Sequence, residues 1–366
     1  MEQGEVCVLH VAGDGVADSF DGTVRAVAQI GLHQMLIPLN ASLPGRSAQR
    51  LEIRPMQWPS RLLARIRTLE DELAALACER SLYGLHLHGA MACLLGSRAL
   101  RAIALKAGAP LKTRVLFSPH LANLSPWTGA LVGRLLKAEL TPLHSGVVIA
   151  LPGEAHMLSR LLGRSAEILP PAVDPAFFQV SRAAGGPAVF AGGNGIEAVQ
   201  GVSRLAVLLN GRQDRVPMAW LGPVSRPGRS QLEAAGIKVF DAEDDAGNAR
   251  LLSGATAYLH LSQRGRQLGA LAQAMAAGVP CLASDTLGHR ALIRHGDTGF
   301  ICAGDLDFME KLIMLLRDAE ERERIGQAAR AEAGRAFTQR HFDTAVLRAY
   351  GFHRVTLLPM KSVHVA

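Results

Sequence analysis

Gly192-Gly193-Asn194-Gly195 follows the apolar run Ala188–Ala191 and precedes a helical pattern. Such a turn presents backbone N–H groups with no side chains in the way, and the helix dipole adds to their attraction for phosphate. The alternative is an ordinary strand-to-helix turn. A second junction lies between the apolar run Ala257–Ser262 and the helix-forming stretch Gln267–Ala277, where Arg264 and Arg266 flank Gly265. Guanidinium groups there suit a phosphate, or are simply solvated loop arginines. Asp285 and Thr286 close the next apolar run, Val279–Ser284, at the strand end where open α/β sheets take ligands; the alternative is a cap for the following turn. His289 and Arg290 are similarly placed. His86 and His88 stand two apart in the strand-like Leu82–His88 and so share a face. No third ligand lies near them in sequence, so no metal is expected; His88, beside Gly89, is the better site candidate.

The elements that position these residues alternate. Val6–Ala12, Gln34–Leu39, Leu82–His88, Arg114–Ser118 and Gly146–Leu151 read as strands. Between them Thr23–Ile30, Arg61–Arg80, Ala90–Lys106 and Gly129–Leu140 have helical spacing, and residues 40–59 read as an extended loop. Pro170-Pro171 stiffens a linker, after which Ala188–Ala191, Met218–Gly222, Ile237–Phe240, Ala257–Ser262 and Val279–Ser284 form a second strand set. Gly278 stands where a left-handed helix cap is common, and Asp307 with Glu310 has capping-box spacing. Two α/β domains with parallel sheets follow, a size that 366 residues require.

Composition narrows the function classes. The 49% hydrophobic content excludes disorder, and no apolar run reaches the roughly 20 residues of a membrane span. Five scattered cysteines and an acidic amino terminus without a secretory pattern lead to the expectation of a reduced, cytoplasmic protein. The net charge of +7 is spread over both halves; with 5% aromatics and no basic block, nucleic acid is not an expected partner. An anionic ligand or an anionic membrane face suits the charge as well.

Several long segments resemble the GT-B retaining glycosyltransferases of the family four, group one, type. EILPPAVDPAFF (167–178) resembles that family's interdomain segment, AMAAGVPCLASD (274–285) and HGDTGFICAGD (295–305) its nucleotide-pocket segments, and RDAEERERIGQAARAEAGRAFT (317–338) its terminal helices. GLHLHGAMA (84–92) and VLFSPH (115–120) resemble acceptor-side loops. The resemblance implies two Rossmann-like domains facing each other across a cleft. They are an acceptor-side domain over 1–170, a nucleotide-sugar domain over 171–337, and a helix and tail over 338–366 that cross back. It implies transfer of a sugar from a nucleoside diphosphate to a glycan or lipid-linked acceptor, with retention and without a bound metal or cofactor. The setting would be bacterial polysaccharide or glycolipid assembly at the inner membrane face.

By position, His120 matches a histidine near the donor sugar, and Gly192, Gly193, Asn194, Arg264, Gly265, Arg266, Gln273, Asp285 and Thr286 fall on the donor side. His88, Asp21 and Gly22 fall on the acceptor side. The family's charged anchors are replaced: Gly193-Asn194 and Gln200 stand for an arginine and a lysine, and Gly265, Gln273 and Ala291 for three glutamates. Gln273 can still bond a ribose hydroxyl. Loss of these charges together leads to a rival expectation, a catalytically inactive partner or scaffold of an active transferase.

Overall fold

The computed structural model describes residues 6–13, 17–39, 51–79, 81–107, 113–121, 124, 126–140, 146–181, 189–193, 195–211, 216–241, 244–262 and 268–352. Contacts divide the chain into one unit of residues 1–169 with 343–366 and another of 170–342.

The first unit runs β1 (Val6–Ala12), α1 (Ala17–Gln29), β2 (His33–Pro38), β3 (Leu51–Ile53), α2 (Leu62–Glu79), β4 (Ser81–His88), α3 (Ala90–Ala107), β5 (Arg114–Ser118), α4 (Pro126–Leu140), β6 (Val147–Ala150), α5 (Ala155–Leu162) and β7 (Ala166–Ile168). Its seven strands are parallel in the order β3-β2-β1-β4-β5-β6-β7. Central strands buried on both faces explain the near-continuous apolar runs. Helices α2, α3, α4 and α5 pack side by side, closing the core around Leu9, Leu87, Phe117 and Leu136.

The second unit runs α6 (Pro175–Gln179), β8 (Val189–Gly192), α7 (Ile196–Asn210), β9 (Met218–Leu221), α8 (Arg226–Ala234), β10 (Lys238–Phe240), α9 (Asp245–Ser253), β11 (Ala257–His260), α10 (Leu268–Ala276), β12 (Cys281–Ser284), α11 (Leu287–Leu292), β13 (Phe300–Cys302), α12 (Asp305–Arg317), α13 (Ala319–Ala336) and the start of α14 (Gln339–Ala349). Its parallel order, β10-β9-β8-β11-β12-β13, is doubly wound. Alternation along the strands feeds two clusters: Phe190, Tyr258 and Cys281 on one face, and Val189, Leu259 and Leu282 on the other. Gly278, at φ 75°, ends α10 in the left-handed region, as its position predicts.

From Asp343 onward the chain belongs to the first unit. Arg114 Nε donates to the Ala349 carbonyl (2.7 Å), Tyr83 Oη to the Tyr350 carbonyl (3.1 Å) and Gln29 Nε2 to Asp343 Oδ2 (3.1 Å).

Three local expectations change. The stretch 40–59 contains the short strand β3, of which Glu52 and Ile53 are exposed. Helix α1 begins at Ala17, ahead of the helical pattern expected from Thr23, so Asp21 and Gly22 sit inside it. Helix α12 begins at Asp305, and Asp307 reaches back to accept from the Ala303 N–H (3.0 Å) instead of forming a box with Glu310.

Candidate functional site

In the second sheet the chain leaves β8 to one side and returns at β11 on the other, so no connection covers the gap between these strands. Ligands of doubly wound sheets bind at such a point. Here β8 ends on Gly192, which pairs in register with His260 of β11. A Cβ on Gly192 would overlap Tyr258 Oη and stand 3.2 Å from the Leu221 carbonyl. One on Gly193 would lie 3.0 Å from Ala198 Cβ and 3.1 Å from the Leu261 carbonyl, on a backbone at φ 145°. Both positions therefore require glycine, and the backbone stays bare where a ligand would approach. Helix α7 then starts at Gly195 with no side-chain cap, leaving first-turn N–H groups for an anion.

Beside this turn a cavity of about 310 Å³ opens at the strand ends, lined among others by Glu197, Arg204, Ser262, Ser284, Asp285 and Thr286. Its walls are tied together. The Ser262 N–H donates to Ser284 Oγ (3.1 Å), and Thr286 Oγ1 caps α11 by accepting from the His289 N–H (3.2 Å). His289 Nδ1 faces the Ser284 carbonyl at 2.6 Å, so that nitrogen carries the proton; His289 Nε2 then accepts from His260 Nδ1 at 2.8 Å. Burial lowers the His289 pKa, consistent with this neutral tautomer. The Asp285 carboxylate is held by Arg290 through two bonds of 2.5 and 2.8 Å, and that pairing lowers its pKa.

The structure thus brings Asp285 and Thr286 to one cavity; Gly192 and Gly193 do not line it, although Leu261 of its wall lies against Gly193. Gln273 is half-buried on α10, its amide 3.5 Å from Asp245 Oδ1, and does not line this cavity. Asn194, Arg264, Gly265 and Arg266 lie outside the described residues. A larger groove of about 520 Å³ lies along the outside of α7, lined by Gln200, Ser203, Val207 and Leu208; Arg204 and Asp305, paired at 3.0 Å, border both spaces. The smaller cavity, at the strand ends and with converging polar groups, is the better ligand site.

In the first unit the corresponding gap lies between β1 and β4, and its interior holds a connected set of imidazoles. Gln34 Nε2 donates to the Val24 carbonyl (2.9 Å), which turns Oε1 toward His10. His10 Nε2 must then carry a proton and donate it (3.0 Å), and His10 Nδ1 accepts from His88 Nε2 (3.0 Å). His86 bonds Tyr350 Oη through Nδ1 (2.9 Å) and Ser118 Oγ through Nε2 (2.8 Å), with its ring 3.7 Å from that of His88.

Nitrogens of His10, His86 and His88 lie within 4.8 Å of one another, so the third imidazole missing near the pair in sequence is supplied by β1. Five of the six ring nitrogens already have hydrogen-bond partners, so a metal ion, which takes one nitrogen from each ring, would break at least two of these bonds. His88 is accordingly buried inside this network rather than presented to a ligand.

His120 follows β5 at φ 49°, a left-handed conformation that costs a non-glycine residue on the order of 1 kcal/mol. Burial holds its pKa at about 4, so the imidazole is neutral at physiological pH, suited to hydrogen bonding rather than to carrying positive charge. Sequence reasoning missed His10, Gln34, Tyr350 and His260. The one local signal for the first is a histidine interrupting the apolar run of β1.

Residues 231–332 match the glycosyl transferases group 1 family. A phosphatidyl-myo-inositol mannosyltransferase of Mycobacterium leprae is 36% identical over 117 residues, a stretch that spans 31% of each chain. Among solved structures, Anabaena HepE in complex with UDP superposes with a TM-score of 0.71 at 14% identity, covering 95% of this chain and 99% of that one. A glycosyltransferase from Rickettsia africae gives 0.70 at 13% identity, with 94% and 98% covered. At such identities the structural likeness shows the fold alone, the paired parallel-sheet arrangement of GT-B glycosyltransferases.

Proposed function

We propose that this GT-B chain, carrying its group 1 glycosyl transferase segment at residues 231–332, transfers a sugar from a nucleoside-diphosphate sugar to a hydroxyl of a glycan or lipid-linked acceptor. The supporting observation is the bare Gly192–Gly193 turn before the uncapped start of α7. There the diphosphate would accept backbone N–H bonds as the sugar C1–O bond breaks and negative charge grows on the departing oxygen. The acceptor oxygen forms the new bond to C1, and its proton leaves for the diphosphate. Retention at C1 and independence from metal are part of the proposal, as is a setting in bacterial glycan or glycolipid assembly.

A second reading, an inactive binding partner of another transferase, is favoured by the state of the arginines. Among the described residues, Arg204 and Arg290 are each paired with a carboxylate, and Gln200 and Ala291 are neutral. By sequence alone, Arg264 and Arg266 remain to supply positive charge. Calorimetric titration with UDP-, GDP- and ADP-sugars, followed by a donor-hydrolysis assay, separates the readings. One donor should bind and be hydrolysed, and Arg264→Ala with Arg266→Ala should weaken it about tenfold or more, the worth of one charge-assisted bond. Binding without turnover, or no binding to any donor, sinks the transferase reading and leaves the second. An unchanged affinity in the double variant removes the arginines from the site.

A further inference from the structure

The ladder between β11 and β12 ends at the pair His260–Ala283, one residue before the cavity wall formed by Ser284, Asp285 and Thr286. From there side chains take over from the ladder on that side. Ser284 Oγ accepts from the Ser262 N–H, and His289 grips the wall twice, its own N–H on Thr286 Oγ1 and its Nδ1–H on the Ser284 carbonyl at 2.6 Å. His289 Nε2 in turn accepts from His260 Nδ1 at 2.8 Å. Both histidines are fully buried, and their rings meet edge to face at 5.0 Å. Neither lines the cavity, so any effect on a ligand passes through the wall.

The main chain of His260 pairs with Gly192 of β8 on one side and with Ala283 of β12 on the other. A continuous set of bonds therefore runs from the bare glycine turn through His260 and His289 to the wall. Strands β8 and β12 lie two strand spacings apart, about 10 Å, a span that a sugar nucleotide seated on the turn exceeds. Packing alone does not call for imidazoles at these places. A leucine fills an apolar site without desolvating polar nitrogens, whereas a bonded polar pair adds the direction that apolar contact lacks.

We propose that His289, held by His260, is a positioning residue whose Nδ1–H fixes the Ser284 carbonyl, and with it the set of the Ser284–Thr286 wall toward a bound sugar nucleotide. What the wall touches rests on the donor reading; that the histidine pair fixes the wall does not.

The test compares two substitutions at each histidine. In His289→Asn the amide nitrogen stands near the place of Nδ1 and can donate to the Ser284 carbonyl, and in His289→Leu nothing can; His260→Asn and His260→Leu differ in the same way toward His289. Calorimetric titration of the full chain with UDP-glucose, GDP-glucose and ADP-glucose reads the wall through the ligand. Hydrogen exchange over residues 284–292 of the free protein reads it directly. His289→Leu should weaken the bound donor about tenfold and speed local exchange by a similar factor, while His289→Asn should bring both back to within about threefold of wild type. The His260 variants should follow the same order with a smaller effect. Nitrogen NMR of the wild type should show His289 neutral and protonated at Nδ1. The proposal is overturned if either leucine variant binds or exchanges as wild type does, if asparagine fares no better than leucine, if affinity merely follows the melting temperature, or if Nε2 carries the His289 proton. If wild type binds none of the three donors, the transferase reading falls and exchange decides the positioning role alone. Unchanged exchange in His289→Leu then overturns it, and faster exchange that asparagine restores upholds it.

Discussion

Acidification from about pH 7.5 to about pH 5 is expected to cost the fold about 4 kcal/mol or more, a large part of a typical stability. The loss comes from histidines buried as neutral rings. Desolvation holds the pKa of His10 and of His120 at about 4, against 6.5 for an exposed imidazole, and pushes His86 and His88 well below that value. Between about 4 and 6.5 the unfolded chain binds protons that the folded chain refuses, so stability rises with pH across that window. The contribution is fully present above 6.5 and is lost as pH falls toward 4. For His10 and His120 the loss at pH 5 is about 2 kcal/mol each, with His86 and His88 adding to it. Protonation is disruptive because His10 and His88 share one hydrogen between facing nitrogens, and a second proton turns that bond into a repulsion. Thermal unfolding followed across this pH range measures the effect; a flat melting temperature between about pH 7.5 and pH 5 would refute it.

The second large effect is expected from one methyl group. In Gly192→Ala the new Cβ collides with Tyr258 Oη, and Tyr258, 1% exposed in the sheet core, has nowhere to swing. Such overpacking costs about 1–3 kcal/mol and shifts the turn on which the donor reading rests, so donor affinity should fall with stability. Removing the hydroxyl restores room: Tyr258→Phe combined with Gly192→Ala should recover most of both losses, a coupling that independent sites would not show. Failure of the double variant to recover stability would show that the collision is not the cause. Gly195 is a useful contrast. Nothing stands within 4 Å of its added Cβ, so Gly195→Ala should cost only the backbone strain of φ 89°, on the order of 1 kcal/mol.

What the sequence conceals follows from range. The shared face of His86 and His88 is a two-residue fact and can be read directly, as can the turn at Gly192. That His10 completes the cluster depends on β1 pairing with β4 across 78 residues, and that Tyr350 joins it depends on a return across 264. Short elements also leave little pattern. Strand β3 has three residues, two of them exposed, and offers no apolar alternation, while α1 starts before its most helix-like stretch. At α12 the capping-box letters are present, yet the helix begins earlier and Asp307 serves from inside it.

The return of the chain at Asp343 has a consequence for the order in which the protein is made. Everything needed for the unit of residues 170–342 has been synthesised before the other unit has all of its parts. Until residue 350 leaves the ribosome, Arg114 and Tyr83 lack the carbonyls, and His86 the hydroxyl, on which they finally rest. The amino-terminal unit is begun first and finished last. Residues 1–169 released on their own would remain an unclosed fold, whereas the middle of the chain already holds everything its own core requires.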